Sequence, residues 1–156
     1  MSEERPGWHR HPNGGGWVQD TASVDETAYV GPDAEVSETA RVSGNAEVSG
    51  AARVYGSAQV SETAQVSGTA EVSGAAWVSA PRHVLTVGPI GSDDQTLTLF
   101  RTETGYGVSV GCWHPDGATL DDLTAEVQRR APDHADEYEA AMALCRVRIE
   151  EWEAQR

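Results

Sequence analysis

Eleven valines recur every six residues from Val18 to Val78, and ten alanines from Ala22 to Ala76 each stand two residues before one of them. A beat this even restricts the chain to folds built by laying one short unit on another. The phrases TARVSG, NAEVSG, AARVYG, SAQVSE and TAQVSG show the unit. Ala and Val are one residue apart, so on an extended segment both point to one side while the residue between them points out. Ser, Gly, Glu, Thr, Asn or Asp then follow, and these permit a sharp bend or bond back to nearby backbone. Each hexad is therefore expected to form a short strand and a corner, and three hexads a triangular coil of eighteen residues.

Stacked coils pair each strand with the one eighteen residues later, at about 4.8 Å. The outward positions then fall on three faces. Trp17, Glu35, Arg53 and Glu71 form the first, Ser23, Arg41, Gln59 and Trp77 the second, and Tyr29, Glu47, Gln65 and His83 the third. Glu35, Arg53 and Glu71 alternate in sign, which suits neighbouring parallel strands and reads as a solvated ladder. With one Phe and two Met in 156 residues, Val and Ala must fill the interior, and the prism must be narrow.

The Ala-x-Val-x-x-x phrase resembles the hexapeptide-repeat family of left-handed parallel β-helices, over about residues 17–84. Left-handedness is what the resemblance implies; the general rule for parallel crossovers favours the opposite hand. The expected fold is mainly β: a left-handed parallel β-helix of about three and a half coils (17–84), after a polar N-terminal segment (1–16). A small α+β capping or interaction domain (85–156) follows. Catalytic members of the family are acyltransferases with a His base and carbonic anhydrases with three zinc-bound His. This repeat offers only His83, where the beat stops at PRHVLTVGPI, so a boundary role is preferred to catalysis. His9 and His11 precede the repeat with no Cys nearby and no metal-site spacing. No metal and no cofactor are expected.

Beyond Val84, HVLTVGPI reads as a strand broken by Pro89 and Gly91, and TLTLFRTET with GYGVSVGCW as a hairpin turned near Gly105, expected to cap the prism. Thr119 and Asp122 have capping-box spacing ahead of a helix that ends by Pro132. Residues 135–154 suggest a longer helix whose apolar positions Tyr138, Met142, Cys145, Ile149 and Trp152 pack on the hairpin. The stretch from VGPIG to DDL is similar to a small domain of phage and bacterial proteins of unassigned activity, and HPNGGGWV to the start of such repeat proteins.

Cys112, His114 and Asp116 alternate, which invites a nucleophile-and-base or metal reading. Cys112, however, continues the apolar face of Val108 and Val110, and no fourth ligand lies in reach, so packing is preferred. Trp77, Trp113 and His114 are candidates for binding contacts, Trp77 having a seam-covering role as its alternative. Acidic residues outnumber basic ones 25 to 11, for a net charge of -14, which disfavours direct contact with nucleic acid or anionic membrane. Neither a signal peptide nor a membrane span is evident. A cytoplasmic protein of a bacterium or phage-infected host, with free thiols, is expected.

Three functions remain. The favoured one is a non-enzymatic scaffold or protein-binding module, a homo-oligomer and by family resemblance a trimer, with its specificity in the C-terminal domain. The second is an acyltransferase-like enzyme using His83. The third is an acidic inhibitor or decoy of a host protein, motivated by the net charge.

Overall fold

A computed structural model describes residues 5–91, 93–111, 113–115 and 117–155. Strand β1 (Trp8–Arg10) runs antiparallel to β2 (Trp17–Gln19). Ten two-residue strands follow at the six-residue beat: β3 (Ser23–Val24), β4 (Tyr29–Val30), β5 (Glu35–Val36), β6 (Arg41–Val42), β7 (Glu47–Val48), β8 (Arg53–Val54), β9 (Gln59–Val60), β10 (Gln65–Val66), β11 (Glu71–Val72) and β12 (Trp77–Val78). They form three parallel sheets, ordered β2-β5-β8-β11, β3-β6-β9-β12 and β4-β7-β10. Register is eighteen residues throughout, with Val36 opposite Val54 and Val54 opposite Val72. The chain is a parallel β-solenoid of about three turns.

The physical cause is the inward pair of each hexad. From Val30 to Val78 every inward Val is 0–1% exposed, as is every inward Ala from Ala28 to Ala70. Residues this small leave a core too thin for a second layer, so coils can grow only by stacking, and each coil hydrogen-bonds to the next (Tyr29 N to Ala46 O, Gly31 N to Val48 O). Corners need left-handed backbone, which Gly supplies at 44, 50, 56, 68 and 74, while Glu38 and Glu62 adopt it at φ 58° and 57°.

Open ends of a solenoid expose unpaired backbone and apolar side chains, so both must be closed. At the lower end His11 is buried and bonds the Ala28 carbonyl at 2.8 Å, Gly16 N donates to Val30 O, and Val30 N to Asn13 O. Gly14 and Gly16 are there for clearance: a Cβ on Gly16 would lie 2.3 Å from Val30 Cγ1, and one on Gly14 would lie 2.2 Å from Val30 O. Arg5 sits over the Trp8 ring at 3.9 Å and Arg10 over Trp17 at 4.0 Å, cation–π contacts that fasten this segment to the first sheet.

At the upper end lies a second sheet, β13 (Val84–Ile90), β14 (Gln95–Arg101) and β15 (Tyr106–Val110), antiparallel in chain order. β13 runs on through Gly88 and Pro89, where its pairing with β14 shifts register, in keeping with a Pro that has no N–H to donate. Two helices cover the far side, α1 (Leu120–Arg130) and α2 (Ala135–Ala154). Thr119 and Asp122 form a reciprocal capping box on α1. Both outer layers explain why Leu97 through Phe100 are all buried. Leu97, Leu99, Val108 and Val110 join the helix core with Leu123, Met142 and Trp152.

The alternate positions of that sheet face the solenoid. Phe100, the chain's single Phe, belongs to the valine core. Thr98 Oγ1 accepts from Glu71 N at 3.2 Å, and Ser109 Oγ donates to Glu71 O at 3.4 Å, so hydroxyls satisfy the last coil's free backbone edge. A hairpin alternating apolar and polar usually shows its polar side to water. Here that side is the contact with the prism.

His83 does not continue the third face, which ends at Gln65 of β10. Pro81 opens a short 3-10 turn, Pro81–His83, in place of a twelfth hexad. The turn is a clamp for α2. Arg82 makes two 2.8 Å hydrogen bonds to Glu151, and its carbonyl accepts from Trp152 Nε1 and Arg148 at 2.9 Å. The Arg82 guanidinium holds the Glu151 carboxyl below its usual range. Among the described residues no helix is long and apolar enough to cross a membrane.

Candidate functional site

One corner of the solenoid departs from the repeat. From Val36 to Val78 the residue after the inward Val is Ser at 37, 43, 49, 61, 67, 73 and 79, but Tyr at 55; the three earlier hexads carry Gln19, Asp25 and Gly31 there. Tyr55 keeps the ladder, donating its N–H to Val72 O at 3.0 Å, so a large ring projects where small hydroxyls stand one coil below and above. Beside it the corner column reads Glu38, Gly56, Gly74, all three with left-handed backbone. Two glycines in succession leave a trough. The Glu38 carboxylate reaches up it, Oε2 standing 3.8 Å from where a Cβ on Gly56 would lie.

The cap closes the trough from above. After β15 the chain doubles back, Val110 and Trp113 exchanging backbone hydrogen bonds of 2.8 Å, and the next residue, His114, meets Tyr55. Their ring centroids are 5.7 Å apart at 77°, edge to face. The resulting concavity holds about 360 Å³ and is lined by Glu38, Tyr55, Gly56, Ser57, Gly74 and His114. It adjoins another of about 240 Å³ along the seam, with Gly74 and His114 common to both.

Its electrostatics are one-sided. The Tyr55 hydroxyl donates to Glu71 Oε2 at 3.5 Å. Burial above all, with Glu71 and Glu38 adding to it, pushes the Tyr55 phenol above its ordinary value, so the ring is uncharged at neutral pH. Two carboxylates thus flank a neutral phenol and an imidazole, and among the described residues no Arg lines the trough. Such a surface attracts positive charge.

The other candidate residues lie apart from it. His83 Nδ1 accepts from Ser79 N at 3.1 Å, and its ring meets Trp152 edge-on at 6.4 Å, contacts of a junction. Trp113 is half-buried against the helix core and lines a small cavity of about 120 Å³ with Tyr138, Leu123 and Val127. Trp77 is 43% exposed at the top of the second face. Cys112 and Asp116 lie outside the described residues. Cys145 is a free thiol in the helix core, and burial pushes it up to about 11, a protonated and unreactive state at neutral pH. Among the described residues, no three His, Cys, Asp or Glu side chains are grouped to hold a metal ion.

Residue types alone pointed to His114 but not to Tyr55, Glu38 or the glycine column. The signal was the single break in the Ser series, and it becomes spatial only when coils stack at eighteen residues. Compared with known families, curated proteins and solved structures, the chain finds no match.

Proposed function

We propose that the chain is a non-enzymatic scaffold and protein-binding module of hexapeptide-repeat type, whose partner is recognised where the C-terminal domain meets the solenoid. The observation behind this reading is the trough: an open concavity whose walls come from both the solenoid and the C-terminal domain, with an aromatic ring meeting the imidazole of His114. Binding sites are typically concave and largely preformed in this way. A photo-crosslinking amino acid at exposed Ser57 should give a discrete adduct with a cellular partner, and one at Gln65 on the third face should not. Absence of an adduct at Ser57, or the same pattern at both positions, would count against the module.

Self-association is the second part of the proposal. In a chain of net charge -14, copies meet best where carboxylates are fewest. The outward positions of the second face are Ser23, Arg41, Gln59 and the exposed Trp77, none of them acidic. We assign this face to contact with further copies, as a trimer. Trp77→Ser should shift the mass measured by light scattering at tens of micromolar from trimer toward monomer. A wild-type monomer throughout that range would remove the proposal.

A further inference from the structure

The geometry points to the chemical class that the trough takes: a positively charged side chain, a lysine ammonium or an arginine guanidinium, presented by a partner protein. This rests on the binding-module reading and deepens it.

Tyr55 and His114 stand near right angles, at 77°, so they form two walls of a corner rather than a closed stack. A cation entering that corner meets the π-face of one ring while excluded from bulk water by the other, an arrangement that favours ammonium and guanidinium groups. Glu38 on the floor and Glu71 behind the phenol supply the counter-charge, and among the described residues no Arg lining the site competes for them.

The backbone supports the same reading. Glu38 holds φ 58° in a column whose other members are Gly56 and Gly74, so its left-handed corner is strained where glycine is not. Tyr55 replaces the Ser found after Val in seven other hexads. Glu62 shares the left-handed corner elsewhere, but only at Glu38 does it stand beside the Tyr55 substitution and a cap residue, His114. The trough is also open, with Glu38, Ser57 and His114 exposed. It thus takes the charged end of a side chain and leaves the backbone that carries it in water.

The test is a titration of the full-length ¹⁵N-labelled protein with Nα-acetyl-lysine methylamide and its arginine counterpart, the uncharged norleucine derivative serving as control. Amide signals of Gly56, Gly74 and His114 should move and saturate with the two cations and stay still with norleucine. Tyr55→Ser restores the residue that the repeat uses elsewhere, and Glu38→Gly relieves the corner, so both variants should remain folded. Each should weaken binding about two- to fivefold, the loss expected for one cation–π or carboxylate contact at an exposed site. Equal shifts with norleucine, unchanged affinity in both variants, or no saturable shift would overturn the assignment. If the Ser57 crosslink forms while the titration fails, the module stands and the ligand class is wrong. If both fail, the module itself is lost.

Discussion

Phe100→Ala is expected to lower the free energy of unfolding by about 3–5 kcal/mol, the range for truncating a buried aromatic. Phe100 is 6% exposed and belongs to the valine core, although it comes from the cap sheet. Its ring therefore closes the upper end of a column otherwise built from side chains no larger than Val. The site is made for it, since a Cβ on Gly107, its cross-strand partner, would lie 2.4 Å from the ring. No neighbouring side chain can collapse into the space from below, because Val and Ala of the last coil are fixed by the ladder. The damage should also be local. In a stack of nearest-neighbour units, removing the plug frays the end first. Urea titration followed by circular dichroism gives the total. Hydrogen exchange should show lost protection at Tyr55, Gln59 and Ser61, whose amides bond into the last coil (Val72, Ala76 and Val78), before any loss at Tyr29 or Gly31. A cost under about 1 kcal/mol, or uniform loss of protection along the prism, would show that Phe100 is not what closes it.

Much of this architecture was legible because its period is local. The inward Ala and Val set the strands, the eighteen-residue coil followed from three corners, and Thr119 with Asp122 marked the start of α1 before any packing was known. The parts that escaped depend on what lies opposite. Thr98 and Ser109 look like solvent-facing positions of a hairpin, and alternation reveals that a strand has two faces but not what covers each. HPNGGGW has the composition of a tail, yet its glycines and His11 fit the underside of the first coil, a shape that only the finished coil presents. His83 kept the six-residue count, and Pro81 two residues earlier ended the beat by opening a turn. For the candidate site, His114 stood out as a residue type. Tyr55 and Glu38 are neighbours only through the stacking of their coils, and their one local mark is a hexad that breaks its own pattern.

Val54→Asp should be more damaging still, and its dependence on position tests whether the prism behaves as a one-dimensional stack. Val54 is fully buried between Val36 and Val72. Substitution loses about 1.5–3 kcal/mol of apolar burial, and an unpaired carboxyl in that column adds several more. Together these reach about 4 kcal/mol or beyond, enough to unfold a domain of ordinary stability. The carboxyl would escape part of the cost by protonation, so its folded-state pKa would rise above the unfolded value of about 3.9. A raised acid pKa penalises the folded form at neutral pH, and the penalty shrinks as pH falls toward and below that folded value. The deficit against wild type should thus be larger at pH 7 than at pH 4.5. Val24→Asp supplies the contrast, because Val24 is only partly buried, in the lowest coil. An end coil can open alone, whereas a central one interrupts pairing on both sides. Thermal melts should place Val24→Asp much nearer wild type than Val54→Asp, and equal losses at the two positions would contradict the nearest-neighbour account of how this solenoid holds together.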